Sequence, residues 1–202
     1  MKNSSISSLT YNGRKVLETE RLLLRNFHEF DLEALVPIMG DSEVQRFSPF
    51  GSEDRIGIRK FLEGVQLRDV RDGVTQYAVV LKGTGELIGD CGIMVQIVDG
   101  ISEFEIGYRL ARKHWGKGFA TEAAVACRDF GIRQKNICRF VSIIEPKNSA
   151  SALVAQRIGM TLEKKSPYRD GYVDIYSLNI ENSSITKKSL DYDRWLQQSV
   201  KR

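Results

Sequence analysis

Residues 112 to 123, RKHWGKGFATEA, bring together glycines two apart, several cations and an immediate change to helical spacing. Glycine lets backbone amides approach an anion with no Cβ in the way, and the start of a helix adds unpaired N–H donors and partial positive charge. The stretch is predicted to hold a phosphate. The charge distribution agrees: residues 109 to 117 carry Arg109, Arg112, Lys113 and Lys117 and no acid, which equals the whole net charge of +4. The competing reading is a plain glycine turn with solvated lysines.

Three kinds of phosphate cradle can be separated on spacing. A Walker loop needs a hydroxyl residue after the lysine and four residues between its glycines, and Gly116-Lys117-Gly118 has neither. The dinucleotide fingerprint is met at Gly116 and Gly118 but finds Thr121 at its third position, and no Asp or Glu occurs from 130 to 144 to bind a ribose. The third possibility is an acyl-CoA cradle.

The elements around this stretch follow from periodicity. RLLLR at 21 to 25 reads as a strand; Asp31 reads as the N-cap of a helix through Leu32, Leu35, Val36 and Met39, with Pro37 inside it. A second helix is expected over 53 to 68. Strands are expected at 77 to 81, 87 to 97 and 103 to 110, joined by turns at KGTG and Asp99-Gly100. Helical spacing runs from 118 to 135, with Gly131 weakening its end and Asn136 a left-handed stop. A strand at 138 to 144, a helix at 149 to 158 capped by Asn148 or Ser149, and a strand at 172 to 180 complete the core. Residues 1 to 16 read as an N-terminal extension and 17 to 180 as one domain. Residues 181 to 202 read as a tail, with a linker at 182 to 189 and a short docking helix through Leu190, Trp195 and Leu196.

The 202 residues, 42% hydrophobic and 28% charged, suit one soluble domain. No run approaches the roughly 18 apolar residues of a membrane span, and the first fifteen residues lack a secretory apolar core. Cys91, Cys127 and Cys138 are odd in number and lack CxxC spacing, and His28 and His114 are the only histidines, so no metal site is expected and a reducing cytoplasm fits. Outside 109 to 117 a net positive charge is found only at the two ends, the rest being net acidic, which disfavours a nucleic-acid surface.

These stretches resemble, in order, the GNAT superfamily of N-acetyltransferases. Its cradle is Gln or Arg, two residues, Gly, one residue, then Gly or Ala; here Lys113 departs at the first position and Gly116 and Gly118 match. WGKGFATEA (115 to 123), LETERLLLR (17 to 25), EIGYRL (105 to 110), and Asn148, Ser151, Gly159 and Met160 resemble the branch with ribosomal-protein N-terminal acetyltransferases.

The resemblance implies an α/β (α+β) GNAT fold: a mixed, mostly antiparallel sheet flanked by helices and splayed between its fourth strand (103 to 110) and fifth (138 to 144). Acetyl-CoA is the implied cosubstrate. Leu110 and Arg112 would offer main-chain groups to its pantetheine, and Lys113, Trp115, Gly116, Lys117, Gly118, Phe119 and Ala120 would surround the pyrophosphate. Asn148 would bond the pantetheine amide, act as a helix cap, or do both.

Many family members carry a tyrosine seven positions after this asparagine to protonate the departing thiolate; here that position is Ala155. A thiol of pKa about 8.5 tolerates the loss, and Ser151 is the substitute donor considered. Glu105 is the first choice of general base and Glu103, on the same strand face, the second. Tyr168 to Tyr172 and residues 40 to 54 are expected to border or wall an acceptor groove, and His114 to be a bystander. The acceptor is expected to be a primary amine: a protein or peptide N-terminus, or alternatively a small molecule such as a polyamine or antibiotic. A non-catalytic acyl-CoA sensor is the other alternative. The expected state is a monomer or homodimer.

Overall fold

The computed structural model of the chain describes residues 15–168 and 171–180. Among these residues eight strands form one sheet: β1 (Lys15–Glu18), β2 (Leu22–Arg25), β3 (Gln76–Leu81), β4 (Leu87–Val98), β5 (Ile101–Leu110), β6 (Arg139–Ile144), β7 (Thr161–Tyr168) and β8 (Gly171–Asn179). Their spatial order is β1-β2-β3-β4-β5-β6-β8-β7. Every neighbouring pair is antiparallel except β5 and β6, which are parallel. Among the described residues four helices flank the sheet: α1 (Leu32–Met39), α2 (Arg55–Asp72), α3 (Phe119–Lys135) and α4 (Ser149–Arg157).

Helices cover both faces, so the central strands are apolar on both sides. In β3, Tyr77 and Val79 join the core with β2, β4, α3 and α4. Ala78 and Val80 join the opposite core with Leu35, Ile38, Ile58, Leu62 and Val65 of α1 and α2. α3 continues through Gly131 to Lys135, and a Cβ at 131 would come within 2.7 Å of the Phe140 ring and 2.9 Å of Ile93. The glycine lets the helix lie close to the sheet, and the helix ends where expected, at Asn136 with φ of 54°. Pro37 is accommodated inside α1.

One expectation is corrected. Asp31 precedes α1 but does not cap it through its side chain. Its carboxylate is held by both terminal nitrogens of Arg25 at 2.7 Å and accepts the His28 amide at 2.7 Å, which closes the preceding 3-10 turn. A two-pronged ion pair of this kind outcompetes a single cap bond.

Two strands escape the sequence reading. β1 is only four residues long, and β7 (TLEKKSPY) has five consecutive exposed positions before Ser166, so no alternation marks it. The proposed linker and docking helix lie outside the described residues, as do residues 169 and 170 in the YRDGY tip. No described helix is long and apolar enough to cross a membrane.

Candidate active site

Between β5 and β6 the sheet opens. Glu105 and Val141 are their registered pair, and Ser142 Oγ donates to the Ile106 carbonyl at 2.8 Å. Past these contacts a cavity of about 490 Å³ reaches from the opening to the start of α3. That volume is within the range of small-molecule sites.

The glycine loop forms one wall. β5 runs into a 3-10 turn at Arg112–His114, and α3 starts at Phe119. Gly116 and Gly118 have φ of 73° and 80°, a left-handed conformation that side-chain-bearing residues adopt at a cost. Gly118 is the N-cap of α3 and offers no side chain to its first-turn amides. Those amides therefore remain available to an anion.

The loop is anchored at three points. The Trp115 indole N–H donates to the Leu110 carbonyl at 2.7 Å, so the half-exposed ring is fastened to the end of β5. Lys113 and His114 both face Glu86 Oε1, at 2.6 and 3.2 Å. These partners hold the Glu86 carboxyl below its ordinary pKa. Arg21 reaches the Lys117 carbonyl from the β1–β2 turn at 3.0 Å.

Of the residues singled out from sequence, Glu105, Leu110, Trp115, Gly116, Gly118, Phe119, Ala120, Asn148 and Ser151 line this one cavity. Arg112, Lys113 and Lys117 are not among its lining residues; Lys113 is turned to Glu86. The Leu110 carbonyl is already taken by Trp115. Asn148 caps α4, its Oδ1 accepting the Ser151 amide at 3.1 Å. Ala155 is fully buried.

Glu105 stands on the cavity wall, and burial pushes its carboxyl up to about 7, against the opposing effects of the Gln96 side chain and the Ile143 main chain. Glu103 is differently placed: both its oxygens accept from Arg139 Nε, at 2.9 and 3.0 Å, and Arg139 also binds Glu163. Glu103 is not among the residues that line the cavity.

Sequence reasoning missed several lining residues because long-range folding brings them together. Tyr108 lines the cavity and donates to the Ser151 carbonyl at 2.7 Å, and burial raises its phenol above the ordinary tyrosine value. Buried Asp90 binds Arg109 Nε at 2.9 Å and Gln76 Nε2 at 3.2 Å. Arg109 also donates to Gln45 at 3.3 Å, which ties the floor to residues 43–48 on the rim. Tyr168 and Tyr172 do not line the cavity. Among the described residues, no cluster of His, Cys, Asp and Glu could hold a metal ion.

Comparison with known proteins decides the family, because residues 21–161 match the acetyltransferase (GNAT) domain. The chain belongs to the GNAT acetyltransferases. As a GNAT protein it is an acyltransferase, of a fold that uses acetyl-CoA and an amine acceptor. It is 35% identical to the uncharacterized protein YkkB of Bacillus subtilis, over 76% of this chain and 89% of that one. Among solved GNAT structures, an acetyltransferase from Agrobacterium tumefaciens is 32% identical with a TM-score of 0.71, covering 81% of this chain and 93% of that one. RimL, a ribosomal L7/L12 alpha-N-protein acetyltransferase solved with coenzyme A, shares the fold at 22% identity and a TM-score of 0.71, over 83% and 98% of the chains.

Proposed function

We propose that this GNAT protein acetylates a primary α-amine, such as a peptide N-terminus, with Glu105 as the general base. The observation that carries the reading is the Glu105 carboxyl, poised near 7 on the wall of the cavity where the sheet opens. A base of that pKa is ionised in useful amount at neutral pH and still accepts a proton.

The cavity fits an acyl-CoA. Its glycine loop leaves the N–H groups of α3 uncapped for a diphosphate, and the opened sheet gives a slot for the arm. Gly116, Gly118, Phe119 and Ala120 would surround the diphosphate, and Asn148 would bond the arm while capping α4. Bound acetyl-CoA supplies the activated acetyl thioester. Glu105 takes the proton as the amine nitrogen bonds the acetyl carbon and the carbon–sulfur bond breaks. Ser151, on the cavity wall, or solvent returns a proton to the sulfur, since Ala155 has no phenol to give. Residues 43–48 would wall the acceptor side.

Two further facts support an α-amine. The sequence resembles the N-terminal acetyltransferase branch, and RimL, described as an alpha-N-protein acetyltransferase, has the same fold. The test is release of free thiol from acetyl-CoA with free-N-terminal peptides, blocked peptides and small amines offered separately. Thiol release only with free N-termini supports the reading; release only with polyamines or antibiotic amines replaces it.

A further inference from the structure

The β1–β2 turn is remote in sequence from the glycine loop, yet Arg21 in that turn bonds to the loop's far end and to the first turn of α3. Its main-chain N–H donates to Glu122 Oε1 at 2.9 Å and its Nε to Oε2 at 2.6 Å. Nη1 donates to the Lys117 carbonyl at 3.0 Å, and the guanidinium lies 4.5 Å from the centre of the Phe119 ring. Thr19 Oγ1 adds a bond to Glu122 Oε1 at 2.5 Å.

Two consequences follow from elementary geometry and charge. The peptide joining Lys117 to Gly118 is planar and trans, so its C=O and N–H point in opposite directions. Holding the Lys117 oxygen on the Arg21 side turns the Gly118 N–H to the other side, and Gly118 lines the cavity. Glu122, meanwhile, is an acid in the first turn of α3, where its charge would oppose an incoming anion. Arg21 and Thr19 engage both its oxygens, and these bonds hold its carboxyl below the ordinary value despite burial.

We propose that Arg21 is a positioning residue for the diphosphate of the acyl donor, acting through the Lys117–Gly118 peptide and by neutralising Glu122; this rests on the acetyl-CoA cradle described above. Arg21 need not touch the donor. Its effect is confined to donors that carry the diphosphate.

The test measures coenzyme A binding by calorimetry and turnover with two donors, acetyl-CoA and S-acetylpantetheine, which has no phosphate. Arg21→Ala is expected to raise the coenzyme A Kd and the acetyl-CoA KM by roughly tenfold, leaving kcat at saturation and all parameters for S-acetylpantetheine within about twofold. Arg21→Lys keeps the charge beside Glu122 but not the fork to the carbonyl, and should fall between; it also serves if the alanine variant folds poorly. Adding Glu122→Gln to Arg21→Ala should recover part of the loss. Equal losses with both donors, or unchanged coenzyme A affinity in folded variants, overturn the inference while leaving the acetyltransferase reading intact. A wild-type protein that does not bind coenzyme A overturns both.

Discussion

Glu105 and Val141 are the paired position between β5 and β6, and the sheet opens immediately beyond them. The carboxyl is therefore held by strand register at the place where the opening begins. Its environment is dry enough to raise its pKa to about 7, with the Ile143 main chain and Gln96 as its polar company. Its placement has consequences for rate, and its raised pKa has consequences for stability.

For rate, turnover requires the carboxylate. At saturating substrates kcat should rise about tenfold per pH unit below about 7 and level off above it. Glu105→Gln should lower kcat at pH about 8 by something on the order of 10²-fold and remove that limb, with coenzyme A affinity retained. A stopped-time thiol assay across pH reads both; an unchanged profile in the variant would leave Glu105 a strand residue.

For stability, the sign runs the other way. The folded pKa of about 7 lies above the ordinary 4.5, so the folded state keeps a proton that the unfolded chain releases. The stability contributed by the protonated carboxyl is fully present below about 4.5 and is lost as pH rises through about 7. The Tm of Glu105→Gln, compared with wild type, should improve steadily from pH about 4.5 to about 7 and then stay constant. Thermal melts at four pH values would show it, and a constant difference would contradict the buried-carboxyl account.

The loop prediction concerns Gly118, whose φ of 80° disfavours any β-branched residue and whose added Cβ would meet Arg21 Nη2 at 3.4 Å. Gly118→Val should weaken coenzyme A binding by roughly tenfold or more, about 1.4 kcal/mol. Gly83, where a Cβ meets nothing within 4 Å, is the control, and Gly83→Val should bind as wild type does. Calorimetry on the two proteins decides the placement.

Asn148 combines a structural and a proposed ligand role that substitution can separate. Asn148→Ala removes the cap on the Ser151 amide and should cost about 1 kcal/mol of stability while raising the acetyl-CoA KM. Asn148→Asp keeps a capping oxygen and should hold the wild-type Tm, yet lose the amide donor and still raise KM several-fold. Wild-type KM in the aspartate variant would reduce Asn148 to a cap.

Much of this architecture can be read from local pattern, and the exceptions have physical causes. The helix after Gly118 and the meander of β3 to β5 follow from periodicity, since each buries a regular set of side chains. β7 left no trace because its residues are mostly exposed, and the pairing with β8 is made by the backbone, which any sequence supplies. Glu103 and Glu105 look equivalent by spacing; Arg139, 36 residues away from Glu103, distinguishes them. The Arg21–Glu122 clasp spans 101 residues, and nothing local to either residue reveals it.

The last prediction concerns the acceptor and follows from matching the base to the amine. An α-ammonium of pKa about 7.7 to 8.0 lies within about one unit of Glu105, whereas a lysine ammonium near about 10.4 lies more than about three units above it. Proton transfer from lysine would be uphill by a factor of roughly thousands before any chemistry, and the neutral α-amine is several hundred times more abundant at neutral pH. Position 155 is alanine and supplies no phenol to the leaving group, and the Tyr108 phenol on the cavity wall already donates to the Ser151 carbonyl. Peptides with a free N-terminus should therefore be acetylated at least about tenfold faster than the same peptides blocked at the N-terminus and carrying an internal lysine. The rate ratio should shrink as pH rises from about 7 to about 9.5, because lysine gains neutral amine faster than the already neutral α-amine does. Mass spectrometry of both peptides after equal incubation reads the ratio directly, and lysine acetylation beside an untouched N-terminus would refute the assignment.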